Sequence, residues 1–245
     1  MKYKLAIFDL DGTLLDTLTD LMNSTNFALR QQGLRERTYD EIRARVGHGI
    51  KNLIDRAVPE GTSEDVTAEV FQCFREHYRV HCADVTAPYP GVNELLTKLR
   101  AAGVRIGVIS NKADPAVQDL MKVYFEGLVD IARGELPGVP KKPAPDGVWK
   151  MIEEFGVDRS EAVYIGDSEV DVETALNSGL DEITVTWGFR DRDVLEAAGA
   201  TFFADCVGEV YCRIIGEDGR RALRPEGISD AQMARNPAPG PEKLH

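Results

Sequence analysis

The sequence predicts an α/β fold, a parallel sheet covered by helices on both faces and interrupted near its start by a purely helical insert. Three observations predict it. Short apolar runs alternate with helical patterns from Gly91 to Ala204, as strands joined by helical crossovers do. Several of those runs stop abruptly at Asp, Ser or Gly, where a buried strand would reach a crevice. The stretch from Thr17 to Cys82 carries helical periodicity alone.

The first strand is Leu5 to Phe8, broken off by Asp9-Leu10-Asp11-Gly12-Thr13. From Thr17 to Gln32, Leu18, Leu21, Met22, Phe27 and Leu29 recur at mostly helical spacing, with Gly33 placed to close the helix. Further helices are predicted over Tyr39 to Val46, Gly49 to Val58 and Ser63 to Cys82, and Pro88-Tyr89-Pro90-Gly91 punctuates the end of the block. Then come helix Gly91–Ala102, strand Arg105–Ile109, helix Pro115–Tyr124, strand Leu128–Ala132, helix Pro145–Phe155 and strand Ala162–Ile165. Helix Val170–Ser178, strand Glu182–Thr186, helix Asp191–Ala198 and strand Thr201–Ala204 complete the pattern. The division expected is a core of residues 1–15 and 85–216 with a helical cap over 16–84. Residues 217–245, rich in Arg and Pro and poor in large apolar side chains, read as a flexible tail.

The chain has 245 residues, 43% of them hydrophobic, and a formal net charge of −12. That balance argues against nucleic acid or an anionic membrane as main partner, because such binders carry a basic face. An anionic substrate would instead need a bound cation and a few well-placed Lys or Arg. No apolar stretch approaches the roughly 20 residues that span a bilayer, and no signal peptide is expected. The four cysteines show no C-x-x-C doublet, so thiols in a reducing cytoplasm are the expectation.

Asp9 directly follows Phe8 and is expected to be buried, where a carboxylate is costly without a cation or a partner. Asp and Gly also end strands and begin turns for no further reason, and that alternative stands beside the first. Val108-Ile109-Ser110-Asn111-Lys112 presents a hydroxyl and backbone N–H groups suited to phosphate oxygens, although Ser110 as a helix N-cap is an equally simple reading. Lys141-Lys142-Pro143-Ala144-Pro145-Asp146 offers cations before a helix, or a solvated lysine pair. Tyr164-Ile165-Gly166-Asp167-Ser168-Glu169-Val170-Asp171 again runs a strand into carboxylates, four residues apart at a helix start. Helix capping plus a surface Asp is the alternative there.

Taken in order, these elements resemble the four signatures of the haloacid dehalogenase-like hydrolase superfamily: D-x-D-G-T at Asp9–Thr13, Ser110, Lys142 in K-P-x-P-D, and G-D-S-x-x-D at Gly166–Asp171. The resemblance spans about residues 3–210. It implies a Rossmann-like core with the first strand central and a helical cap inserted after it. It further implies a Mg²⁺-dependent phosphatase with Asp9, Asp11 and Lys142 catalytic. Gly12, Ser110 and Asn111 would bind the phosphate, and Asp9, Asp11 (through its backbone carbonyl), Asp167 and Asp171 would hold the metal. Members that move phosphoryl groups resemble this chain in having D-x-D, whereas dehalogenases lack the second acid; an alkoxide leaving group needs a proton and a halide does not.

Tyr89-Pro90-Gly91-Val92, Val46-Gly47-His48-Gly49 and Thr186-Trp187-Gly188-Phe189-Arg190 most resemble the phosphoglycolate phosphatase group, which implies 2-phosphoglycolate as substrate. Arg45, His48 or Lys51 are then candidates to meet its carboxylate, although His48 between two glycines also suits a simple turn. Trp187, Phe189 and Arg190 are expected to pack the sheet edge and orient a loop. A pyrophosphatase, a sugar phosphatase or a β-phosphoglucomutase-like enzyme would share the same core signatures, and a phosphate-sensing or scaffold protein would keep the pocket without turnover. The expected partner is a small phosphorylated metabolite, and the expected assembly a monomer or homodimer.

Overall fold

The structure, a computed structural model, describes residues 1–216; the tail read over 217–245 lies outside the described residues. Strand β1 (Leu5–Phe8) leads through the two-residue β2 (Leu15–Asp16) into four successive helices, α1 (Leu18–Gln31), α2 (Tyr39–Arg43), α3 (Ile50–Ala57) and α4 (Glu64–His81). The chain returns through β3 (Ala87–Pro88) and then alternates. The order is α5 (Val92–Ala101), β4 (Arg105–Ala113), α6 (Asp114–Tyr124), β5 (Ile131–Glu135), α7 (Asp146–Phe155) and β6 (Ala162–Gly166). Helix α8 (Glu169–Ser178), β7 (Asp181–Val185), α9 (Arg192–Ala197), β8 (Phe203–Ala204) and α10 (Val207–Ile215) follow.

Six strands form one sheet in the order β5-β4-β1-β6-β7-β8, every pairing parallel. Side chains alternate across a strand, so a β1 buried on both faces must be apolar throughout. Ala6 and Phe8 join one hydrophobic cluster while Leu5 and Ile7 join the other. With β1 between β4 and β6, its carboxyl end lies beside theirs, the edge where α/β sheets carry their sites.

The helical insert is tied at its two crossings. Leu15 and Asp16 of β2 pair antiparallel with Pro88 and Ala87 of β3. Asp20, buried in the first turn of α1, accepts bonds from the N–H of Thr86 at 2.9 Å and from its hydroxyl at 2.8 Å. Two-residue ladders carry no periodicity, and the block had been expected to hold no strand. Helix α2 is fixed by a capping box in which Thr38 and Glu41 each accept the other's backbone N–H. It ends at Arg43 rather than Val46, and the residues after it form a turn with Gly47 at φ 120° and Gly49 at φ 86°.

Three further departures have physical causes. Strand β4 runs four residues past Ile109, but its register against β5 slips between Ile109 and Ala113. Such an irregularity re-aims side chains, and here Ser110, Asn111 and Lys112 are all buried. Strand β5 lies three residues later than expected and is only half-buried, as an edge strand. Helix α10 was not anticipated; Val210, Cys212 and Ile214 are buried, and the Ile214 carbonyl accepts the Tyr3 N–H at 3.1 Å. Among the described residues, no helix is long and apolar enough to cross a membrane.

Candidate active site

Asp9 leaves the end of β1 with 7% of its surface exposed, its N–H donating to the Ile165 carbonyl of β6 at 2.8 Å. Lys142, brought in by the segment before α7, sets its ammonium 2.7 Å from Asp9 Oδ1 and 2.7 Å from Asp171 Oδ1. Its neighbour Lys141 turns instead to Glu135 at 3.0 Å. Asp171 also accepts from the Tyr164 hydroxyl at 3.2 Å and the Ser168 hydroxyl at 2.6 Å, within a capping box at the start of α8. That carboxylate both caps its own helix and aims the lysine.

Asp167 accepts from the Thr13 hydroxyl and the Phe189 N–H, each at 2.8 Å. Two glycines make room for it. A Cβ on Gly12 or on Gly188 would lie 2.3 Å from Asp167 Oδ2, closer than any side chain can be accommodated without movement. Gly12 also sits at φ 95°, a region that favours glycine. Its N–H is already given to the Leu15 carbonyl at 2.8 Å, so the part it plays here is space for Asp167 rather than a donor for phosphate.

Oxygens of Asp9, Asp167 and Asp171 lie within 4.8 Å of one another, against the single ammonium of Lys142. Burial, then the charge of Asp171, pushes the Asp9 carboxyl well above the usual range, with Lys142 opposing. Burial and Asp171 raise Asp167 to about 7, despite the Phe189 N–H and the Thr13 hydroxyl. Burial alone would lower Lys142, but the charges of Asp171 and Asp9 outweigh it and hold the ammonium well above its ordinary value. Three hard oxygen donors with surplus negative charge suit a divalent cation such as Mg²⁺ or Ca²⁺.

The Asp11 side chain faces elsewhere, outside that cluster. It accepts from the Thr17 hydroxyl at 2.7 Å and the Ser110 hydroxyl at 3.3 Å, and pairs with Lys112 Nζ at 2.7 Å. The Lys112 side chain is 3% exposed, and its ammonium lies 4.8 Å from the ring centroid of Tyr78 on α4. Burial opposes charge on Lys112, but the Asp11 carboxylate more than offsets this and raises it. Sequence reasoning had assigned Lys112 no role of its own. Asn111 commits its side chain to structure, donating to the Gly47 and Lys142 carbonyls at 3.1 and 3.0 Å and accepting the Lys142 N–H at 2.9 Å.

The pocket over Asp9 is roofed by the insert, through Leu21, Val46, Gly47, Gly49, Ile50 and Leu53. None of the three cations suggested for the substrate carboxylate lines it. Arg45 turns to the Glu41 and Arg56 carbonyls, Lys51 pairs with Asp55 at 2.7 Å, and His48 stands 3.7 Å from Glu169. Trp187 and Phe189 do orient a loop, Trp187 through its Nε1 on the Thr13 carbonyl at 3.1 Å and Phe189 through its N–H on Asp167. Arg190 reaches past the sheet edge and bonds carbonyls of the insert.

The family model described as haloacid dehalogenase-like hydrolase matches residues 6–185. The phosphoglycolate phosphatase of Agrobacterium fabrum is 34% identical over 200 residues, covering 78% of this chain and 84% of that protein. That of Caulobacter vibrioides is 35% identical over 205 residues, covering 79% and 83%. A crystal structure from Lactobacillus delbrueckii subsp. bulgaricus, provisionally assigned as a phosphoglycolate phosphatase, matches with a TM-score of 0.84 at 39% identity, covering 89% of this chain and 100% of that one.

Proposed function

This chain belongs to the haloacid dehalogenase-like hydrolase family, and from that premise we propose that it is a phosphoric monoester hydrolase whose substrate is 2-phosphoglycolate, cleaved through an aspartyl phosphate. One observation carries the proposal: Asp9 with Asp11, Lys142 and Asp167 come from three separate segments and meet at one edge of the sheet, with Lys142 2.7 Å from Asp9. The relatives named as phosphoglycolate phosphatases support the choice of substrate.

Asp9 attacks phosphorus; its oxygen forms a bond to phosphorus as the ester P–O bond breaks. Asp11 gives a proton to the departing glycolate oxygen. Water then attacks the phosphorus of the aspartyl phosphate, Asp11 takes its proton, and Asp9 leaves as carboxylate with inorganic phosphate released. Asp11 enters the first transfer as the acid, is left as the carboxylate and regains its proton in the second, with Thr17 and Lys112 holding its side chain. Lys142 and the Ser110 hydroxyl stabilise charge on the phosphoryl oxygens. Asp9 and Asp167 would hold Mg²⁺, with Asp171 within the cluster and the Asp11 backbone carbonyl completing the set that the family resemblance implies. When bound, the ion neutralises the repulsion between a carboxylate nucleophile and an anionic phosphate. The roof formed by the insert excludes water from the first step.

The test is phosphate release with Mg²⁺ from 2-phosphoglycolate, glucose 1-phosphate and pyrophosphate, alongside a measurement of glucose 6-phosphate formation. The expected outcome is the highest kcat/KM on 2-phosphoglycolate, by at least about tenfold. Faster turnover of pyrophosphate or a sugar phosphate, or isomer formation without phosphate release, would replace the substrate assignment. Metal-dependent binding without release would replace the catalytic one.

A further inference from the structure

Arg190 follows β7 at the rim of the sheet, yet it is only 9% exposed. Its Nε and Nη2 meet the two carboxylate oxygens of Glu169 at 2.6 and 3.1 Å, at the start of α8. The same guanidinium crosses to the insert, where Nη1 donates to the Arg43 carbonyl at 2.8 Å and Nη2 to the Val46 carbonyl at 2.5 Å. Two further contacts hold the same turn: Arg43 pairs with Asp191 at 2.7 Å, and Asn111 donates to the Gly47 carbonyl at 3.1 Å. Gly47 lies so close that a Cβ would sit 3.3 Å from Arg190 Nη2. Val46, Gly47 and Gly49 of this turn line the pocket above Asp9.

We propose that Arg190 is a positioning residue that clamps the 43–49 turn of the insert over the reacting phosphate, with Glu169 as its anchor, and that this clamp makes the enzyme selective for a small phosphate ester. The inference rests on the reading that such an ester is bound beneath the insert. A planar guanidinium suits the task because its donors point in fixed directions, two toward a carboxylate and others toward carbonyls on a second body. A lysine would keep the charge and lose the fork. Glu169 balances the charge that burial would otherwise penalise. Misplacement of the roof by an ångström is expected to cost on the order of 10²-fold in the reaction it encloses.

The experiment compares wild type with R190Q, R190K and E169Q on 2-phosphoglycolate and on p-nitrophenyl phosphate, an aryl ester too large to fit under a tightly held roof. Hydrogen exchange of the 43–50 segment is followed in parallel. In R190Q, kcat/KM for 2-phosphoglycolate is expected to fall about 10²-fold, chiefly through KM, while the aryl ester changes less than about threefold. Exchange in 43–50 is expected to accelerate with β1 and α8 unchanged. R190K and E169Q should fall between R190Q and wild type; they carry the test if R190Q does not fold. Unchanged exchange in 43–50 would overturn the clamp. Equal losses on both esters would overturn its part in selectivity, because a mere prop for the Asp167 loop would damage both reactions alike. If wild type hydrolyses neither ester, the proposed function fails, and the exchange result still judges the clamp by itself.

Discussion

The two sides of the site handle charge in opposite ways. Around Asp9, three buried carboxylates share one ammonium, and both Asp9 and Asp167 are pushed up as a result. Around Asp11, one carboxylate faces one buried ammonium, with two hydroxyls completing its bonds. The first side is a charge deficit that a cation relieves. The second is balanced within the protein, and its partners fix the Asp11 side chain without need of an ion. The difference teaches that aspartates two residues apart can stand in opposite charge environments because of what the fold sets beside each, the condition that separates roles in paired-carboxylate sites.

Substitution can break that contrast, and the largest effect is expected at Asp9. Asp9→Asn should lower turnover by at least about 10⁴-fold, since a neutral amide oxygen cannot replace the carboxylate nucleophile of the proposed reaction. In metal-free buffer it should raise Tm by a few degrees, roughly the effect of 1 kcal/mol or more, because one of the crowded carboxylates has lost its charge. Asp11→Asn should cost roughly 10²-fold to 10⁴-fold in kcat, the usual share of a general acid and base. Its Tm should fall instead, by about 3 kcal/mol in stability, because Lys112 stays buried without its partner. Thermal melts and steady-state phosphate release on the same preparations decide the matter. If both variants shift Tm in the same direction, the two sides are not differently balanced.

Much of this was legible beforehand, and what was not has a common cause. Leu5–Phe8 announced a buried strand because both of its faces are apolar, and Asp9 could be read as buried because it follows that strand directly. Lys142 rather than Lys141 was named as the lysine of K-P-x-P-D, and Lys142 is the one turned inward. Lys112 escaped, and Arg190 was read only as packing the sheet edge and orienting a loop, because a lone basic residue at a strand end or sheet rim has no local reason to reach a distant partner. Each is buried by partners far off in the chain, Asp11 and Tyr78 for one, Glu169 and the Val46 carbonyl for the other. The β2–β3 ladder is too short to leave a periodic trace. Helix α10 is a different case, since Val207, Val210, Tyr211, Ile214 and Ile215 do recur at helical spacing and the signal was there to be found.

One further effect probes the charge deficit without altering the chain. A carboxyl whose folded pKa stands above its unfolded value of about 4 contributes stability that is complete below that value. This contribution is lost as pH rises through the folded pKa, which for Asp167 is about 7. Metal-free protein should therefore lose stability between about pH 4 and pH 7 from this cluster, and Asp9 displaces in the same direction. Mg²⁺ competes with those protons, so its binding should stabilise little at pH 5 and substantially at pH 8. At a concentration about 100-fold above its Kd, the gain of about 2.7 kcal/mol corresponds to roughly 5–10 °C in Tm. Melts at both pH values with Mg²⁺ or EDTA measure it, and Asp9→Asn should shrink the gain at pH 8. A gain independent of pH would place the ion away from these carboxylates, because only groups that must shed protons to bind it tie its affinity to pH.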